Sequence, residues 1–350
     1  MKDYSTRLDT LAQSGTSKFT NPSAELVVSG NGTDIVGNPA LTKRAKRKVI
    51  SQRMNLALID IAKSKGRNER IKGYWNTYHC LKTVFTSNGK MYSSYCKNRF
   101  CTVCCAIRKA EIINKYHPVL NTWNEAYFVT LTVKSCNAKN LYKWITGMFR
   151  AFELIHWRCK KRYQRSTGIK LMGVKSLECN FNPINKTYNP HFHIIVPNEA
   201  IANLLKAEWL KQWKSDKTLF TSAKAQHSRK VEDLEHDLIE IIKYGSKIFT
   251  EPDLKKKGNS SIPPTIYVKA LDNILTAMKG KRIFDRFGFN LPKESASKTT
   301  FTWLSNYEKW SFSEKHTDWI NKATGEGLTG YKKPSELAFL LNNCINSDLQ

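Results

Sequence analysis

The 350 residues carry 57 Lys and Arg against 29 Asp and Glu, a net charge of +28. That excess is far beyond what solubility requires and points to a polyanionic partner. With 41% hydrophobic residues, among them 16 Phe, 14 Tyr and 9 Trp, the chain can bury a sizeable core, which excludes a basic disordered tail. No apolar run is long enough to span a membrane and the amino terminus lacks a signal peptide's apolar region, so no membrane association and a cytoplasmic location are expected.

Residues 1–42 are rich in Ser, Thr, Asn and Gly without periodicity and are expected to be disordered. They hold three basic and four acidic residues, so the positive excess begins at Lys43. The run Lys43 to Lys48 reads equally as a phosphate-contacting segment or a solvated helix start.

Residues 43–116 form a basic, Cys-rich region. Cys96, Cys101 and Cys104 give the spacing C-x4-C-x2-C, with Cys80 fifteen intervening residues upstream. Cys-x2-Cys is the knuckle spacing that lets two thiolates grip one zinc ion tetrahedrally. The expected structural Zn²⁺ ligands are therefore Cys80, Cys96, Cys101 and Cys104, with His79 and Cys105 as rivals for the fourth place. The competing reading is a set of buried free thiols. The neighbouring Lys97, Arg99, Arg108 and Lys109 favour zinc, because they describe a basic, loop-rich element and not an apolar core. Arg99, Arg108 and Lys109 are candidate DNA contacts. Cys136, Cys159, Cys179 and Cys344 are scattered and receive no role.

Residues 117–290 carry the candidate catalytic region. Gly173–Phe181 alternates as a half-buried strand does. Asn182 to Tyr188 is turn-like, so this strand is expected to pair with Asn189–Val196 as a hairpin. On that last strand, His191 and His193 share one face while Phe192, Ile194 and Val196 take the other. A fold near Asn185 places Glu178 opposite His191 or one pair away. Two imidazoles and a carboxylate converging with positions left open suit Mg²⁺ or Mn²⁺. Alone, a His-x-His pair is more often structural, and Glu178 reads equally as an exposed strand carboxylate.

Val231 to Phe249 has the apolar period of an amphipathic helix, with Asp237, Glu240, Lys243, Tyr244 and Lys247 on the polar side. Glu240 and Tyr244 are one turn apart. The bland reading is a tyrosine at the rim of an ordinary helix. Beside a metal hairpin, a phenol flanked by Lys243 and Lys247 reads as a nucleophile with phosphate-binding support. A loop from Glu251 to Pro264 follows. Residues 291–350 form an aromatic-rich region of unknown role, whose Trp303, Tyr307, Trp310, Phe312 and Trp319 either stack bases or, more simply, pack.

Taken in order, these segments resemble the replication initiator (Rep) proteins of rolling-circle bacterial plasmids, within the HUH endonuclease superfamily. Phe128-Val129-Thr130-Leu131-Thr132 is similar to the family's first strand motif, and Pro190-His191-Phe192-His193 to its His-hydrophobic-His motif. Glu240 to Lys247 resembles the segment with a single nucleophilic tyrosine and a glutamate four residues before it. Ala277 to Arg282 is like a basic segment that follows it, and similar cysteine clusters precede the catalytic strands in relatives. The resemblance covers roughly Cys80 to Asn290.

It implies an α/β (α+β) fold with an antiparallel five-stranded RRM-like sheet, helices on one face, and a small zinc-binding element ahead of it. It also implies a 5′-phosphotyrosyl intermediate at Tyr244, a 3′-hydroxyl primer, and Glu240 as general base for a terminating water. The implied partners are plasmid origin DNA, single-stranded or extruded as a hairpin, with host helicase and polymerase. A relaxase or transposase of the same superfamily is the nearest alternative. Many relaxases place the tyrosine near the amino terminus, however, and the transposases with a cysteine cluster often use two. A non-catalytic zinc-containing DNA-binding regulator is the alternative from another class.

Overall fold

The computed structural model describes residues 17–19, 26–27, 37–87, 90–214, 221–242, 265–292, 302–304 and 307–345. They divide into two compact units, one drawn from 1–105 and 293–346, the other from 106–292.

The first unit holds helices α1 (Pro39–Ser64) and α2 (Asn68–Tyr78), strands β3 (Thr83–Ser87) and β4 (Lys90–Ser93), and the start of α3 (Thr102–Leu120). From the C-terminal region it takes β11 (Glu308–Ser313), β12 (Asp318–Asn321) and α8 (Ser335–Ile345). Within 1–42, read from the sequence as disordered, the structure describes β1 (Ser17–Phe19), β2 (Leu26–Val27) and the first residues of α1. β1 pairs with β10 (Thr302–Leu304), and an antiparallel sheet runs in the order β12-β11-β3-β4-β2.

Trp310 and Trp319 are fully buried here. Their indole N–H groups donate to Thr86 Oγ1 at 2.8 Å and to the Leu81 carbonyl at 2.7 Å. Tyr307 meets the ring of Phe85. Packing therefore accounts for Trp310 and Trp319, since a base could not reach a ring buried this way.

The second unit is an antiparallel five-stranded sheet of order β8-β5-β7-β6-β9. Its strands are β5 (Tyr127–Thr132), β6 (Gly173–Asn182), β7 (Thr187–Val196), β8 (His227–Lys230) and β9 (Phe284–Phe287). One face presents Val129, Leu131, Leu177, Phe192, Ile194 and Val196, all buried. Against it lies α4 (Ala138–Gln164), whose Ile145, Met148, Phe152 and Ile155 recur at helical spacing, with Asn137 capping its N-terminus by accepting from Asn140 N–H at 3.1 Å. α5 (Glu199–Trp213) joins the same layer through Trp209, and α7 (Thr265–Ala277) packs on α4. This is the helical layer expected on one face.

The opposite face carries Glu178, His191 and His193, and it also receives cover. α6 (Leu234–Ile242) packs Leu238, Ile241 and Ile242 over β6 and β7, and Tyr116 of α3 meets Phe284 edge-on at 5.1 Å. A buried carboxylate and two imidazoles need that shelter if their lone pairs are to serve an ion and not bulk water.

Candidate active site and metal centres

The β6–β7 hairpin turns through Pro183 to Lys186, where the Asn182 side-chain oxygen accepts from Ile184 N–H at 3.0 Å and Asn185 N–H at 3.2 Å. Lys186 takes a positive φ of 51° to close the turn. That turn sets the register and places Glu178 directly opposite His191 and Ser176 opposite His193. β5 pairs on the other side, with Thr130 opposite His193 and Thr132 opposite His191. The ladder towards β5 ends at that last pair, so Pro190, which has no N–H to donate, falls just beyond it.

Glu178, His191 and His193 thus meet on one face. The two Nε2 atoms are 3.0 Å apart, and Glu178 Oε2 lies 3.2 Å from His193 Nε2 and 3.9 Å from His191 Nε2. Adjacent ligands about 2.1 Å from an octahedral ion are separated by about 3.0 Å, so the spacing suits a hard divalent cation. The tautomer fits as well. His191 Nδ1 is 3.0 Å from the Asn189 carbonyl, which can only accept, so Nδ1 carries the proton and Nε2 turns its lone pair inward. His193 Nδ1 is within 3.3 Å of Thr130 Oγ1, a partner compatible with the same tautomer.

Phe192 anchors the pair from behind. It is fully buried against Phe149, Phe152 and Trp209. Truncating such a ring typically costs about 3–5 kcal/mol.

Two features of this face were not legible in the sequence. Ser176 is buried, and its Oγ has no hydrogen-bond partner among the described residues. Arg229 of β8 lies 4.9 Å over the ring of Phe128, which in turn sits 5.2 Å from the ring of His193. Its guanidinium grips Asp237 of α6 in a two-pronged pair, Nη1 to Oδ2 at 2.8 Å and Nη2 to Oδ1. Asp237 had been placed on the polar side of its helix; it is buried instead, because this arginine neutralises it. The pair ties α6 to the sheet beside the histidines. Glu240 is half-buried on α6 and near enough to Arg229 to favour the guanidinium's charge. Lys243, Tyr244 and Lys247 lie outside the described residues.

The four predicted zinc ligands also converge. Cys80, Cys96, Cys101 and Cys104 bring their sulfurs within 4.8 Å of one another, with Cys104 Sγ 3.6 Å from both Cys80 and Cys96. Four sulfurs about 2.3 Å from a tetrahedral zinc would be about 3.8 Å apart. Disulfides are much shorter, and these thiols are free.

The chain turns sharply after two of the ligands, where Leu81 and Lys97 adopt positive φ of 57° and 56°. Cys101 and Cys104 stand at the start of α3, which brings them together within one turn. Hydrogen bonds from Cys101, Cys104 and Cys80 hold the Cys96 thiol well below its ordinary range, and hydrogen bonding among the thiols pushes Cys80 and Cys101 up. A divalent ion among the four sulfurs would favour the thiolate form of each.

The rivals for the fourth place are engaged elsewhere: Cys105 Sγ donates to the Arg99 carbonyl at 2.7 Å, and His79 stacks on Trp75. Lys48, read as part of a solvated or DNA-contacting run, is instead fully buried and donates to the Tyr78 carbonyl at 2.5 Å. Burial lowers its pKa to about 8, opposed by the charge of Cys80, Cys101 and Cys96. Arg99 is exposed next to Cys101, while Arg108 and Lys109 are half-buried on α3.

Comparison with known proteins identifies the family of the chain. Residues 90–301 match the model of a family described as replication protein. A protein rep from a Bacillus species is 30% identical over 139 residues, 37% of this chain and 44% of that protein. A protein rep from Bacillus amyloliquefaciens is also 30% identical over 139 residues, covering 37% and 40% of the two chains. One from Staphylococcus aureus is 28% identical over 173 residues, 45% of this chain and 72% of that one. The chain thus spans about two fifths of the length of the first curated relatives it matches. No solved structure matches.

Proposed function

This chain belongs to the replication protein (Rep_1) family, and from that premise we propose that it initiates rolling-circle replication of a plasmid by nicking one strand of the origin. The observation that carries the chemistry is the meeting of Glu178, His191 and His193 on one sheltered sheet face, with the helix leading towards Tyr244 strapped beside it. Glu178, His191 and His193 would hold Mg²⁺ or Mn²⁺, which when bound would polarise the scissile phosphate.

The protein's own groups do the rest. The Tyr244 oxygen attacks phosphorus and the bond to the 3′ oxygen breaks. A 5′-phosphotyrosyl link and a free 3′-hydroxyl primer result. Lys243 and Lys247 hold neighbouring phosphates. Glu240 takes a proton from the water that ends the final round, which releases the protein in place of leaving it tethered. Because the phosphotyrosyl bond conserves the energy of the phosphodiester, one site both cuts and rejoins. Cys80, Cys96, Cys101 and Cys104 hold a structural zinc, and Arg99, Arg108 and Lys109 contact DNA phosphates. Host helicase and polymerase then extend the primer in the bacterial cytoplasm.

The test is covalent capture on supercoiled origin DNA with added Mg²⁺ or Mn²⁺. Tyr244→Phe should bind that DNA as the unaltered protein does, since one hydroxyl adds little to many phosphate contacts, yet give no nicked product and no adduct. Glu240→Ala should still nick but fail to terminate, so that multimeric single strands accumulate. An adduct surviving in the phenylalanine variant would move the nucleophile elsewhere, and binding without any nicking by the unaltered protein would favour a regulator.

A further inference from the structure

The basic excess is not confined to the metal face. The solvent side of α4 carries Lys139, Lys143, Arg150, Trp157 and Lys161 at intervals of four, seven, seven and four residues, which is one stripe along a helix. At about 1.5 Å per residue it extends for about 33 Å, room for several nucleotides.

Three observations set it apart from an ordinary solvated face. Trp157 is 59% exposed, a costly position for the largest apolar ring unless something covers it. Lys161 Nζ lies 6.0 Å over that ring, so a cation and an aromatic plane are offered together. Lys139, Lys143 and Arg150 have no carboxylate partner among the described residues, whereas Arg158 and Arg162 of the same helix are taken up by Glu208. The helix's one acidic residue, Glu153, is exposed on the same stripe between Arg150 and Trp157, leaving four cations to one carboxylate along it.

We infer that this stripe is a binding surface for single-stranded DNA, separate from the metal centre. The placement follows from the sheet's alternation. α4 packs Phe149 and Phe152 onto Phe192, which projects from the face opposite His191 and His193, so the stripe looks away from the ligands. It holds a stretch of DNA other than the segment being cut. An unpaired strand is favoured over a duplex because Trp157 presents a ring face, and only unstacked bases have a face to give it. An apolar partner is disfavoured by the density of unpaired cations. The inference rests on the DNA-processing reading only in its choice of polyanion.

The test measures binding of fluorescein-labelled twenty-nucleotide oligothymidylate to the full chain by anisotropy, without added divalent metal, across a salt series. Trp157→Ala should weaken binding about tenfold, and Trp157→Phe should restore most of that loss, because a phenyl ring still stacks. The triple variant Lys143→Gln, Arg150→Gln, Lys161→Gln should lower the slope of log affinity against log salt by about 2, at about 0.7 per lost phosphate contact. Independently, ultraviolet crosslinking of bromodeoxyuridine-substituted oligonucleotide to the unaltered protein should map to the peptide containing Trp157; this arm decides the matter should a variant misfold. Unchanged affinity and slope, or crosslinks confined to other peptides, would overturn the inference, including in favour of an acidic protein partner. Oligothymidylate carries no origin sequence and nothing need be cleaved, so failure of nicking by Tyr244 and failure of this surface are separately visible.

Discussion

At the scale of single residues, the centre depends on lone pairs that must be aimed before an ion arrives. His191 is aimed by the Asn189 carbonyl, His193 is flanked by Thr130 and Phe128, and Glu178 is brought opposite His191 by strand register. Replacing Glu178 by Gln keeps the shape and removes the negative charge. Isothermal titration with Mn²⁺ should then show at least about a tenfold loss of affinity, since even outer-shell partners of metal ligands cost about 10–100-fold. A variant that binds Mn²⁺ as before would remove Glu178 from the ligand set. The sequence made the histidine pair legible through period-two alternation. It left Glu178 one pair uncertain, because register is decided by which turn the Asn182–Lys186 segment adopts and not by the strands themselves. The buried role of Asp237 was invisible, since its partner Arg229 comes from a different strand.

At the scale of elements, α4 and α5 form the layer behind the histidines, and they are joined by one polar knot. Glu208 of α5 is nearly buried and accepts from Arg158 at 3.3 Å and Arg162 at 2.8 Å, while Arg158 also reaches Gln212. Burial alone would push the Glu208 carboxyl up, but the two guanidinium groups more than offset this and hold it below its ordinary value of 4.5. A carboxyl depressed in the folded state contributes stability that is present above its unfolded pKa and is lost as pH falls through the folded one. Glu208→Gln should therefore cost about 1–2 kcal/mol at neutral pH, allowing for solvent screening at the half-exposed arginines. Its thermal unfolding should also depend less on pH below about 4.5 than that of the unaltered protein. Parallel melting curves from pH 7 to pH 3 would check this, and identical acid dependence would show that the knot stores no net stability. The pairing of α4 with α5 was not readable from the sequence, because ion pairs between helices are set by packing.

At the scale of the whole molecule, the chain divides into a cysteine-bearing unit and a sheet unit. The first has a buried lysine and four clustered thiols near its centre, an arrangement costly to maintain without a divalent ion to balance it. Protein purified without chelator should hold one zinc per chain by elemental analysis. Cys104→Ser should lose that zinc and melt at least several degrees lower. Absence of zinc from the unaltered protein would leave the cluster as free thiols.

The sequence by itself determined what is carried by local period and spacing. That includes the His-x-His strand, the Cys-x2-Cys knuckle, the amphipathic stripe of α6, and a net charge of +28. Only the tertiary structure decided what depends on contacts between distant segments. It chose Cys80 over its rivals as the fourth thiol, buried Lys48 beside the sulfurs, and set Glu178 against His191. It also packed Trp310 and Trp319 into the first unit and left Trp157 uncovered. Alternation and spacing are properties of neighbouring residues, whereas burial and partnership belong to surfaces that exist only once the chain has closed on itself.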